Sequence, residues 1–152
     1  MLRTSMIVAT AAAALAASGP APAQQMQHGT AAEARAMLDR VVAAVRADKT
    51  EALNGFNTGA NGFRDRDLYP FCVDVQAGIY TAHPTLRGKQ VLDPNDASGH
   101  AYGEAILRGG STEGTVNEVA YPFPRPSGGG AVPKATYVTK IDDQICGVGY
   151  YQ

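Results

Sequence analysis

The chain has 152 residues, enough for one domain once any targeting segment is set aside. Apolar residues make up 45% and charged residues 18%, a balance that excludes an intrinsically disordered chain. The net charge of −1, with no basic stripe, excludes nucleic acid as the partner.

The first residues read as an address. Arg3 supplies a positive start, and Met6–Ala17 is an Ala-rich apolar run of 12 residues. Ser18-Gly19-Pro20 breaks the run, and Ala21-Pro22-Ala23 fits the small-x-small cleavage pattern. Residues 1–23 are therefore expected to be a signal peptide cut after Ala23. An uncut anchor is the alternative, but a membrane span needs about 20 apolar residues. No Cys follows the run to carry a lipid, so no membrane anchor is expected. Residues 24–29 are polar and expected to be a flexible start. Residues 30–152 then form one domain in the periplasm or outside the cell.

Thr30-Ala31-Ala32-Glu33 matches a capping box, in which the hydroxyl and the carboxylate each satisfy a free amide of the first turn. Ala34, Met37, Leu38, Val41, Val42 and Val45 follow at steps of three and four, predicting an amphipathic helix over 31–47. Lys49–Phe56 reads as a second, short helix capped by Thr50, with Asn54-Gly55, Gly59 and Asn61-Gly62 marking a loop. Leu68–Gln76 alternates as a strand, with Tyr69, Phe71, Val73 and Val75 on one face and Cys72 and Asp74 on the other. Ala77-Gly78 turns it into a return strand, Ile79–Ala82.

Asp93–Asp96 is a turn signal, and Ser98 is read as the cap of a helix from Gly99 to Leu107 that Gly109-Gly110 ends. Gly114–Phe123 reads as a strand closed by Pro122 and Pro124. After the Pro- and Gly-rich stretch 125–132, Lys134–Ile141 is a strand by its β-branched content. Asp142-Asp143 turns the chain into a last strand, Gln144–Tyr151. The layout is α+β: a long N-terminal helix packed on an antiparallel sheet of about five strands, with the helices on one face.

Cys72 and Cys146 are the two cysteines. Export makes a disulfide the default. It closes a loop of about 75 residues and is worth about 4 kcal/mol on chain entropy. Two buried thiols that never meet are the alternative. No metal or other cofactor is expected, because a two-Cys site lacks further ligands at suitable spacing. An enzyme is not expected either. The pairs Asp65/Asp67 and Asp142/Asp143 sit in turn-like contexts and read as loop solvation, and no nucleophile elbow or phosphate-cradling loop is present.

Four strings in order resemble the single Cache domains, PAS-like extracytoplasmic sensors, in particular their second single-Cache subtype. These are Asp67–Asp74 as a first core strand, Ala82-His83-Pro84 with Arg87-Gly88-Lys89, Gly114–Pro124 ending in Tyr121-Pro122-Phe123-Pro124, and Pro133–Val138 with Gly147–Tyr151 as the closing strands. The resemblance implies a pocket between sheet and covering loops that takes a small organic ligand such as a two- or three-carbon carboxylate. It places His83 and Lys134 as the cationic or donor groups a buried carboxylate needs. Tyr69, Tyr80, Tyr121 and Tyr137 would supply hydroxyl donors on apolar rings. His83 capping a turn, and Lys134 as a solvated edge-strand lysine, are the plainer readings of those two residues. Family members usually continue into a membrane helix and an output domain, whereas this chain stops at Gln152. The resemblance therefore implies a binding module without output, working through a membrane sensor or transporter. A structural or protein-interaction module of the same fold with no functional pocket is the other possibility.

Overall fold

The computed structural model describes residues 28–93 and 97–152. The expected signal peptide, residues 24–27 and most of the Asp93–Asp96 turn lie outside them. Helix α1 runs Ala31–Ala47 and begins with the capping box: Thr30 Oγ1 accepts from the Glu33 amide at 3.2 Å, and Glu33 Oε2 accepts from the Thr30 amide at 2.8 Å. Its periodic face buries Ala34, Met37, Leu38, Val41 and Val45.

Helix α2 runs Lys49–Thr58. Its cap is Asp48 rather than Thr50: the Asp48 carboxylate accepts from the Glu51 amide at 3.0 Å. Asp48 is extended (φ −157°) and also ends α1, so one residue punctuates both helices. Asn54 and Gly55, expected in a loop, lie inside α2. Burial of Ala52 and Phe56 carries the helix past them, and it ends where Gly59 takes the left-handed conformation at φ 75°.

Five strands follow, interrupted by one helix: β1 (Pro70–Asp74), β2 (Ile79–Ala82), α3 (Ala97–Gly109), β3 (Asn117–Pro124), β4 (Ala131–Ile141) and β5 (Gln144–Tyr151). They form one antiparallel sheet in the order β2-β1-β5-β4-β3. Ser98 falls inside α3, not at its cap. Strand β4 starts three residues earlier than expected, because its pairing with β3 continues to Ala131↔Pro124. Pro122 and Pro124 sit within β3, which tolerates them as an edge strand.

Alternation along the strands divides the interior in two. One face carries Cys72, Ile141, Cys146 and Val148 and packs under α1 and α2. The other carries Phe71, Val73, Val138 and Ile145 and packs under α3 through Ala105 and Ile106. The helices therefore cover both faces, with only α1 and α2 on the first. Cys72 and Cys146 are register partners with Cα atoms 4.1 Å apart, joined as a disulfide beneath α1. Among the described residues no helix is long and apolar enough to cross a membrane.

Candidate functional site

The α3 face holds the polar groups. His83 follows β2 directly and is 7% exposed. Its Nδ1 accepts from the amides of Thr85 (3.0 Å) and Leu86 (3.1 Å), so the imidazole closes the turn that Pro84 begins. Its own amide donates to Asn57 Oδ1, and Asn57 Nδ2 donates to the Thr81 carbonyl, which ties the turn to α2. With Nδ1 committed as acceptor, the ring proton resides on Nε2. The ring lies among Tyr69, Tyr80 and Phe123, at centroid distances of 5.3–5.8 Å. Burial, then the nearby Lys134 charge, holds the imidazole down to about 3, so it is neutral at physiological pH.

Lys134 is 2% exposed, far from the solvated edge lysine that was one reading of it. Its Nζ donates to the Tyr69 hydroxyl at 2.8 Å. It also sits 4.4 Å, 4.9 Å and 5.1 Å from the ring centroids of Tyr69, Phe123 and Tyr151. Among the described residues it makes no ion pair with a carboxylate. Burial brings the ammonium down to about 7, opposed only in part by the distant charge of Asp67. A close approach of backbone makes room for this side chain. A Cβ at Gly149 of β5 would lie 2.3 Å from Lys134 Cε and 2.6 Å from Thr136 Oγ1, so only glycine fits beside the lysine stem.

Tyr80 and Tyr121 complete the donor set. The Tyr121 hydroxyl accepts from Thr136 Oγ1 at 3.0 Å, leaving its own proton for another partner. The Tyr80 hydroxyl makes no hydrogen bond to a described residue. Burial pushes the phenols of Tyr69, Tyr80 and Tyr121 above their ordinary range, so all stay protonated. Lys134, His83, Tyr80 and Tyr121 line one small cavity of about 10 Å³, room for roughly one water molecule. Phe71, Tyr102, Ile106 and Phe123 form its apolar remainder.

A larger cleft of about 650 Å³ lies on the other side of His83, Tyr102 and Phe123, which line both spaces. Tyr69 also faces it. Arg64 and Arg125 stand among its lining. Arg125 is held in place: its guanidinium stacks on the Tyr151 ring at 4.6 Å and donates to Asp67 Oδ2 at 2.9 Å. Asp67 is not the solvated loop residue its context suggested. It is 7% exposed and also accepts from the Gly29 amide at 2.7 Å, while His28 Nδ1 lies 3.0 Å away. Thus His28 and Gly29, the last residues of the expected flexible start, are anchored. Asp65 does sit exposed, paired with Arg66.

The structure brings together His83, Lys134, Tyr69, Tyr80 and Tyr121. It does not bring Tyr137 to them. Tyr137 is on the α1 face, stacked on Tyr150 at 5.8 Å. The signal was available: Tyr137 comes three positions after Lys134 in one strand, and an odd offset puts the two on opposite faces. The same parity identifies Phe123, two residues from Tyr121. Tyr102, Tyr151 and Arg125 reach the site through tertiary packing, without a local signal.

No protein-family profile matches the chain, and no curated protein matches it by sequence. Solved structures do match. A methyl-accepting chemotaxis protein from Vibrio parahaemolyticus superposes with a TM-score of 0.61 at 23% identity, over 79% of this chain and 86% of that one. A Cache chemosensory domain described for its carboxylic acid recognition gives 0.52 at 22% identity, over 78% of this chain and 85% of that one. With the α1-backed five-stranded antiparallel sheet, these matches show the fold: the domain has the PAS-like fold shared with a Cache chemosensory domain.

Proposed function

We propose that this is an extracytoplasmic binding domain for small carboxylates. The observation that carries the proposal is Lys134: a buried amine with no carboxylate partner among the described residues, facing a cavity with the neutral donors His83 Nε2–H, Tyr80 O–H and Tyr121 O–H. A site that offers donors and no acceptor anion is matched by an anion. The carboxylic acid recognition described for one structural neighbour supports the same chemistry.

The cavity holds about one water, too little for a two- or three-carbon acid. Binding therefore displaces Phe123 and Tyr102, the shared wall, and opens the inner space to the outer cleft. Carboxylate binding requires the protonated lysine. Affinity should therefore fall about tenfold per pH unit above pH 7, the value to which burial lowers Lys134. In this proposal the domain is exported by residues 1–23 and reports to a membrane sensor or transporter.

Thermal denaturation with millimolar acetate, propionate, lactate and pyruvate tests the proposal, since a ligand specific for the native state raises Tm. At least one acid should raise Tm for the wild type and leave Lys134→Met unmoved. No shift with any acid favours the interaction-module reading, which draws its support from the small size of the cavity.

A further inference from the structure

Lys134 has a second kind of chemistry open to it. An ammonium attracts anions, whereas a neutral amine attacks carbonyl carbon, and desolvation in an apolar pocket is how proteins produce that amine. We propose that Lys134 captures a small 2-oxo acid covalently, as a reversible imine, in the pocket assigned above to carboxylates, so that this inference rests on that reading.

Four features of the site support it. Nζ lies against the rings of Tyr69 and Tyr151, which are not part of the wall that opens and shield an imine from water on their side. The Tyr69 hydroxyl is 2.8 Å from Nζ, within reach to relay a proton to the departing oxygen. His83 Nε2–H and the Tyr121 hydroxyl line the same cavity and can hold the ligand carboxylate after the amine has been used for bonding. The other described lysines have none of these surroundings: Lys49 and Lys89 are exposed, Lys49 is paired with Asp143, and Lys140 is half-buried on β4. Burial that brings Lys134 down to about 7 keeps a large share of the amine neutral at physiological pH, which supports the geometry.

The step balances without an oxidant or a reductant. The Nζ lone pair bonds to the 2-carbonyl carbon, and the carbonyl oxygen takes up a proton to give a carbinolamine. The C–O bond then breaks. The two amine hydrogens leave with that oxygen as water, and a C=N bond remains. Addition of water reverses the sequence and releases the ligand. A simple carboxylate has no such carbonyl and binds only as the counter-ion of the ammonium. The same pocket would then hold 2-oxo acids longer than their saturated analogues.

The test is reductive trapping of the full chain. Protein is incubated at pH 7 with pyruvate and sodium cyanoborohydride, then analysed by intact mass and peptide mapping. The expected result is one pyruvate-derived adduct per chain, on Lys134 in preference to Lys49, Lys89 and Lys140, and suppressed by excess acetate. Lys134→Arg should carry no such adduct. The acetate-protection arm uses only the wild type, so it decides even if the variant fails to fold. No adduct on Lys134, or adducts spread evenly over the surface lysines, overturns covalent capture. If acetate still raises Tm in that case, the carboxylate reading stands alone; if neither adduct nor shift is seen, both fall.

Discussion

The two faces of this sheet are built to different ends. Under α1 and α2 the buried groups are apolar side chains, among them the Phe56–Phe63 pair, a disulfide, and the neutral polar residues Thr139 and Gln144. Under α3 the sheet buries an amine, an imidazole and three phenols among aromatic rings. Burying ionisable groups without ion-pair partners costs stability, and apolar residues of similar volume would serve packing better. The first face holds the domain together. The second gives up part of that stability to keep a donor-lined cavity.

The largest test of this division is pH. Below about pH 7 both the folded and unfolded chains carry a proton on Lys134, and the buried charge costs its full amount. As pH rises from about 7 toward 10.5, the folded chain releases that proton first. The unfolded state then binds more protons, so stability rises, by about 5 kcal/mol over the whole window. His83 covers the acid side. As pH falls from 6.5 to about 3, the unfolded chain takes up a proton that the folded chain refuses, and a further loss of about 5 kcal/mol accumulates. Denaturant unfolding from pH 4 to pH 9 should show both limbs. The limb above pH 7 should vanish in Lys134→Met, and its persistence there would mean that Lys134 is not the group responsible.

Next in size is a truncation on the α1 face. Leu38 is fully buried in the α1 cluster, and Leu38→Ala should cost about 2–5 kcal/mol. Carboxylate affinity of the folded fraction should be unchanged, measured by calorimetry well below Tm. A parallel loss of affinity would show that the faces are not separable.

The smallest effect comes from one substitution made on both faces. Gly149→Ala drives a methyl into the Lys134 stem and Thr136, and should weaken carboxylate binding about tenfold, or about 1.4 kcal/mol. Gly55→Ala lies mid-way along α2 with no atom within 4 Å of the added methyl, and should stabilise the domain by about 0.5–1 kcal/mol. Equal responses at the two positions would remove the distinction.

Much of this architecture was legible in the residues. The capping box and the three-and-four spacing fixed α1, and alternation fixed the faces of β1, because both depend on neighbours only a few positions away. Helix α2 was mis-bounded for the converse reason. Asn54-Gly55 looks like a turn locally, and burial against α1 overrides it. At the site, His83 and Lys134 were readable as candidates from the strings around them, and Tyr137 fails on strand parity.

The sequence by itself determined which elements form and which side chains each presents to a face, since periodicity and turn chemistry are local. Only the tertiary structure decided what those side chains meet. Lys134 and Tyr69 are 65 positions apart, and Arg125 and Asp67 are 58 apart. The loss of water around Lys134 comes from Tyr69, Phe123 and Tyr151, which lie on different segments of the chain. The proton affinity of an amine depends on the solvent and charges around it, and folding alone sets those.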